Sequence, residues 1–209
     1  MAAAEAAAGA ARRRRVEASF RRVWKAKRDC GLIEDRGLAP EKFKIIGCAS
    51  HRAMAEKMAR ASLAWARKAK RPLTGPVAYC ELGASSPQDW QGRPFVKALR
   101  AVGILAKPYS PQSRLPAIVA SFSTPKAFLG KIRSTDRELR QAQSAIAEAP
   151  SAIVVSFGSP FVMDHLKNYT AGLCAFSSIE ASQKAAALAL AGKIKATGRM
   201  PVALKSQTH

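Results

Sequence analysis

Acid-base or nucleophilic chemistry needs groups that meet in space, and this sequence scatters them. Its histidines are His51, His165 and the terminal His209, none with another His, Cys or carboxylate at metal-ligand spacing on a helix. Zinc is therefore not expected. Asp164 precedes His165 directly, but adjacent side chains point in different directions, so the pair reads as part of a loop. Cys30, Cys48, Cys80 and Cys174 are widely spaced beside apolar residues, with no CxxC, as small buried hydrophobes would be. No GxxxxGK[ST] occurs and no GxGxxG follows a strand, so no phosphate cradle and no cofactor are expected. One turn stands out, Ser156-Phe-Gly-Ser-Pro-Phe161, at the carboxyl end of a predicted central strand, where open α/β sheets place ligand contacts. Ser156, Gly158, Ser159 and Phe161 are its candidate substrate contacts. The plainer alternative is that Gly158 and Pro160 shape a tight turn while Phe161 packs inward. Asn168-Tyr-Thr170 matches a glycosylation acceptor and reads as a chance occurrence.

The elements that must position this turn follow from periodicity. Residues 1–15 are an alanine-rich leader ending in Arg12 to Arg15 and are expected to be disordered. Val16, Phe20, Val23, Trp24 and Lys27 then recur at helical spacing, with Arg21, Arg22, Lys25 and Arg28 on the other side, and Cys30-Gly31 closes the helix. Gly37 to Pro40 reads as loop, and Ser50 caps a second helix expected to run to about Lys70, ended by Pro72. Beyond Gly75 short β-like runs alternate with helical ones. Strands are predicted at Val77 to Leu82, Gly103 to Lys107, Ala117 to Phe122, Ala152 to Phe157, Gly172 to Phe176 and Met200 to Leu204. Helices are predicted at Pro94 to Val102, Thr135 to Ala149 and Ser178 to Ala191, with a further one at Pro125 to Ile132. Runs such as Ala152-Ile-Val-Val-Ser are continuously apolar, which suits a parallel sheet covered on both faces. The expected fold is a three-layer α/β/α sandwich with a mostly parallel sheet over residues 74–204, preceded by a helical segment over 16–73 and followed by a short tail, 205–209.

Charge is the strongest compositional feature, a net +21 from 35 Lys and Arg against 14 acids. Nineteen of those bases, with seven of the acids, lie in residues 1–71, so the front is denser. Such basicity raises nucleic acid, an anionic surface and an acidic partner as possibilities. Neither a zinc-finger spacing nor an RNP-like aromatic strand accompanies it, which counts against specific nucleic-acid binding. No apolar run reaches the roughly 18–20 residues of a membrane span. The alanine-rich start carries its bases after the apolar run, unlike a secretory signal, and Glu5 argues against a mitochondrial address. Together with the cysteine pattern this predicts a reducing, cytoplasmic compartment.

The order of motifs in the last quarter carries a resemblance. Ala152-Ile-Val-Val-Ser-Phe-Gly-Ser-Pro-Phe161, then Gly172-Leu-Cys-Ala-Phe176, then Glu180-Ala-Ser-Gln-Lys-Ala-Ala-Ala-Leu-Ala-Leu-Ala-Gly192, then Ala196-Thr-Gly-Arg-Met-Pro-Val202 resembles the end of the second domain of family-three glycoside hydrolases. Glu17-Ala-Ser-Phe-Arg-Arg-Val-Trp-Lys-Ala-Lys-Arg-Asp-Cys-Gly-Leu32 is similar to the helix that ends that family's catalytic barrel. Ser50-His-Arg, Ala59-Arg-Ala-Ser-Leu63 and Arg71-Pro-Leu73 are similar to its joining segment. The brevity of the domain and the Gly158-Ser-Pro-Phe161 turn resemble the β-N-acetylhexosaminidase branch. The resemblance implies hydrolysis of O-glycosyl bonds in carbohydrate metabolism, with a barrel domain or a carbohydrate as partner. It also implies that the family's nucleophilic aspartate and His-Asp acid-base loop belong to a barrel, none of which precedes Val16. The expectation is thus a truncated or detached second domain, scaffold or cleft wall, inactive alone and with no catalytic residue of its own.

Some family members draw an acid-base glutamate from the second domain, which directs attention to Glu81 and Glu180, although neither lies in a matching motif. Glu180 reads instead as stabilising the first turn of its helix. Ala64-Trp-Ala-Arg-Lys-Ala-Lys-Arg71 departs from the family's leucine-rich joining segment, and the positive charge is unusual for a sugar cleft. The alternative is a non-enzymatic interaction protein that associates with nucleic acid or another anionic surface through its basic N-terminal helices.

Overall fold

The structure is a computed structural model that describes residues 2–33, 40–84, 86–123 and 134–205. The chain divides into two units, Met1–Cys48 and Ala49–His209. The first contains the helix α1 (Ala2–Asp29) and a short 3₁₀ segment (Pro40–Ile45). Gly31, at φ 70°, closes α1 in the left-handed conformation that its C-terminal position requires. None of the described side chains in this unit is buried.

The second unit is built on one six-stranded sheet. Its strands are β1 (Ala64–Arg67), β2 (Val77–Glu81), β3 (Ala106–Pro108), β4 (Ala117–Ser121), β5 (Ala152–Ser156) and β6 (Ala171–Cys174). Their order across the sheet is β1-β6-β5-β4-β2-β3, with every pairing parallel except that of β1 with β6. The helices are α2 (Ala49–Ser62), α3 (Arg93–Ala101), α4 (Asp136–Glu148) and α5 (Glu180–Leu190).

The central strands β2, β4 and β5 are buried along their whole length because alternate residues feed two cores. Val77, Tyr79, Ile118, Ile153, Val155 and Leu173 join Phe95 and Leu99 of α3 and the alanine face of α5 on one side. Cys80, Val119, Val154 and Cys174 join Ala142, Ala145 and Ile146 of α4 on the other. This is the expected three-layer sandwich. α4 begins on a capping box in which Thr135 Oγ1 accepts the Glu138 amide and Glu138 Oε2 accepts the Thr135 amide.

Four expectations change. Residues 2–15, expected to be a disordered leader, form the first half of α1, where alanine's high helix propensity carries the run, and Ser50, expected to cap the second helix, lies inside α2, which begins at Ala49. The helix expected to reach Lys70 stops at Ser62, and Ala64–Arg67 becomes the antiparallel edge strand β1. Gly198 comes so near that a Cβ on it would lie 2.7 Å from the carbonyl oxygens of both Ser62 and Leu63, and its amide donates to the Leu63 carbonyl. The Leu63 carbonyl thus accepts from the distant tail, where a continued helix would have it accept from the amide of Arg67. The Met200 to Leu204 run is not a strand. β6 already pairs with β5 and β1, so no sheet edge is left for it there, and the run instead inserts Leu204, 1% exposed, into the α4-side core. The helix expected at Pro125 to Ile132 lies outside the described residues.

Candidate functional site

Parallel strands place their carboxyl ends on one edge, and here that edge gathers Glu81 from β2, Ser121 from β4, Ser156 from β5 and Cys174 from β6. Ser121 pairs in register with Ser156, and Ser156 with Cys174. The candidate turn leaves from this edge. Ser156 is fully buried; its hydroxyl donates to the Ser159 carbonyl at 2.9 Å and lies 3.4 Å from the Gly158 amide. Its carbonyl accepts the Ala175 amide at 2.8 Å. That hydroxyl is therefore spent on turn geometry. Ser159 donates its amide to the Ser123 carbonyl at 3.0 Å, which ties the turn to the end of β4.

Phe161 is the second residue of the 3₁₀ segment Pro160–His165 and is 49% exposed. Its neighbours Val162 and Met163 fill the inward positions instead. Of the four candidates, Phe161 is the side chain turned toward solvent. Phe176, just past β6, holds φ 56°, a left-handed conformation unusual for a bulky residue. It stands beside the turn through the bond between Ala175 and Ser156.

An aromatic row supports the edge from below. Phe122 stacks on Phe157 with centroids 4.7 Å apart, Phe157 meets Phe95 edge-on at 5.0 Å, and Tyr79 meets Trp90 edge-on at 4.6 Å. Only their spatial convergence reveals this row, since the residues come from four separate segments.

Glu81 is 4% exposed and has three donors: the Tyr79 hydroxyl at 2.8 Å, the Gln91 amide at 2.7 Å and the Gly92 amide at 3.0 Å. Gln183 completes the arrangement, accepting the Phe95 amide at 2.9 Å and donating to the Ser178 carbonyl at 2.7 Å. Glu81 and Gln183 together satisfy amides at the start of α3, two of the orphan donors a helix start leaves. Burial raises the Glu81 carboxyl above its ordinary range, partly offset by its three hydrogen bonds. Burial likewise lifts Tyr79 well above its usual value, with Glu81 adding to the effect, and pushes the Cys80 thiol to about 11. A small recess of about 80 Å³ lies beside this cluster, lined by Tyr79, Cys80, Glu81, Trp90 and Tyr109. A wider cleft of about 500 Å³ opens where β2 ends, lined by Gly83, Ala84, Thr135, Arg137, Glu138 and Gln141. No sequence motif marked either.

The other candidates do not converge. Glu180 is exposed at the first residue of α5, His51 is exposed on α2, and His165 is exposed at the end of its 3₁₀ segment. His209 lies outside the described residues. Among the described residues no group of three or more His, Cys, Asp and Glu side chains could hold a metal ion. No helix among them is long and apolar enough to cross a membrane.

No protein-family model and no curated protein sequence matches the chain. Solved structures do match its fold. The β-glucoside phosphorylase BglX aligns over 85% of this chain with a TM-score of 0.68 at 17% identity. A glycoside hydrolase family 3 β-N-acetylglucosaminidase from Paenibacillus sp. str. FPU-7 aligns over 88% with a TM-score of 0.60 at 15% identity. A β-glucosidase from Listeria innocua, solved with isofagomine, aligns over 80% with a TM-score of 0.57 at 20% identity. The chain spans only 36%, 38% and 29% of those three structures, so what it shares is the fold of a part of each.

Proposed function

We propose that this chain serves as the second, α/β/α domain of a family-three glycoside hydrolase of the β-N-acetylhexosaminidase kind, forming scaffold and one wall of a sugar cleft. The observation that carries this reading is the fold likeness, which covers most of this chain but about a third of each sugar enzyme. The sandwich, expected over residues 74–204, begins earlier, because β1 is a strand of its sheet. The Gly158-Ser-Pro-Phe161 turn supports the choice of branch, and exposed Phe161 offers an apolar face to a sugar ring at the cleft edge. The catalytic carboxylates come from a barrel in another stretch of polypeptide, joined or separate.

Retaining hydrolysis needs two carboxyl groups about 5–5.5 Å apart across one bond. Glu81 is committed to Tyr79, Gln91 and Gly92, and Glu180 stands exposed at the start of α5, which supports a non-catalytic role for both. The buried thiols Cys80 and Cys174 support a reducing, cytoplasmic setting.

The test is turnover of aryl N-acetylglucosaminides and aryl glucosides by the purified chain, alone and mixed with a family-three barrel whose own second domain has been removed. The chain alone is expected to be silent and to raise the turnover of the barrel. Turnover by the chain alone that disappears in Glu81→Gln or Glu180→Gln, or failure to assist any barrel, overturns the proposal.

A further inference from the structure

We propose that α1 is a docking element for an anionic lipid surface, lying in the plane of the bilayer interface. This inference is drawn from α1 alone and uses no part of the glycosidase reading. At 100° per residue Val16, Phe20, Val23 and Trp24 fall within an arc of about 100° on one face of α1. They are 64%, 62%, 56% and 41% exposed, and Phe20 stacks on Trp24 with centroids 5.7 Å apart. The opposite face carries Arg14, Arg15, Arg21, Arg22 and Lys25, and Arg28 lies on the flank beside Trp24. α1 as a whole holds nine bases and three acids, and two of those acids already face bases on the same helix, Glu17 with Arg21 and Asp29 with Lys25. Arg12, Arg13 and Lys27 lie along or beside the apolar stripe, where long side chains can bury their stems and lift their charge to the headgroups.

Charge complementarity and the chemistry of the stripe together select the occupant. A surface of like composition is excluded by repulsion, so a second copy of α1 does not fit. Nucleic acid would answer the charge but has no use for two exposed valines, which cannot stack on bases. An anionic bilayer answers both features: headgroups take the arginines and lysines, and the acyl boundary takes Val16, Phe20, Val23 and Trp24. No described side chain of the Met1–Cys48 unit is buried, so no packing among its own described residues covers the stripe.

The experiment sediments the full chain with phosphatidylcholine vesicles containing about one-third phosphatidylserine, and with phosphatidylcholine alone. Binding to the anionic vesicles only is expected, with a blue shift in tryptophan emission and an affinity that falls about tenfold or more between about 0.05 and 0.5 M salt. Phe20→Ser with Trp24→Ser is expected to lose about tenfold or more at unchanged charge. Arg12→Gln to Arg15→Gln as a block is expected to lose a similar factor with the stripe intact. Circular dichroism and the unfolding midpoint check that both variants keep the sandwich. Equal binding to neutral vesicles, binding indifferent to both variants, or no vesicle binding overturns the proposal. So does tight binding to duplex RNA that survives Phe20→Ser with Trp24→Ser while vesicles are ignored. Because no glycoside enters the assay, its failure leaves the barrel-complementation result standing, and the reverse also holds.

Discussion

Gly158 rests so closely on Ser123 that a Cβ at position 158 would lie 1.9 Å from the Ser123 carbonyl oxygen. Backbone meets backbone at this point, and the neighbouring Ser159 amide donates to that same carbonyl. The close approach joins the carboxyl ends of β4 and β5 and sets the turn that presents Phe161. Gly158→Ala is therefore expected to destabilise the fold by roughly 3 kcal/mol, since no flexible side chain can yield. Urea unfolding checks this, and an unchanged midpoint would show that the turn relaxes freely.

Glu81 and Glu180 separate cleanly as structural tests. Glu81→Gln turns one acceptor into a donor facing Tyr79, Gln91 and Gly92, at an expected cost of about 1–3 kcal/mol. Glu180→Gln removes an exposed charge from the first turn of α5 and is expected to cost about 0.3–1 kcal/mol. Paired denaturation curves decide the order, and a larger loss at Glu180 would contradict the assignment of Glu81 as an anchor.

Stability should depend on pH through Glu81 in a definite direction. Its carboxyl is raised in the fold, so the folded chain holds the proton more tightly than the unfolded chain. The resulting stabilisation is complete below the ordinary glutamate range and is lost as pH rises through the raised value. Glu81→Gln mimics the protonated side chain in charge, so the descending step is expected to vanish in that variant. Urea midpoints measured from about pH 4 to about pH 8 in both proteins read this out.

Thiol reactivity follows burial. Burial pushes Cys80 to about 11, aided by Glu81, and Cys174 to about 12, while Cys30 is exposed and Cys48 partly so. Under native conditions at neutral pH, Cys30 is expected to react first with a thiol reagent, and Cys80 and Cys174 only after unfolding. Rapid native labelling of Cys80 or Cys174 would show that the sandwich opens locally.

Phe161 offers a test of the cleft edge. It is half exposed, so Phe161→Ser is expected to shift stability by less than about 0.5 kcal/mol. In the barrel-complementation assay the same change is expected to raise KM with kcat little altered, as for a contact made equally in ground and transition states. An unchanged KM would remove Phe161 from the cleft.

The sandwich itself was legible before any coordinates. Strands β4 and β5 are uninterrupted apolar runs, and such runs are stable only in a sheet covered on both faces. The turn at Ser156 to Phe161 was legible too, because Gly158 and Pro160 leave the chain few other conformations. Which member of the turn meets solvent was not legible. Phe161 and Val162 are both apolar, and only the 3₁₀ segment decides that Val162 and Met163 fill the core while Phe161 does not.

What the sequence by itself determined was local and periodic: the alternation of strands and helices, the parallel sheet, the helix that begins at Thr135 and the basic character of α1 with its short apolar stripe. Tertiary structure decided the rest through contacts between distant residues. Ala64–Arg67 became a strand because β6 offered an edge and Gly198 engaged the Leu63 carbonyl just past the end of α2. Glu81 became a buried anchor because Gln91 and Gly92, ten and eleven residues on, needed an acceptor where α3 begins. Periodicity registers which face of an element is apolar. It carries no record of which edge, carbonyl or amide the folded chain will bring to that element, and those partners decided both β1 and Glu81.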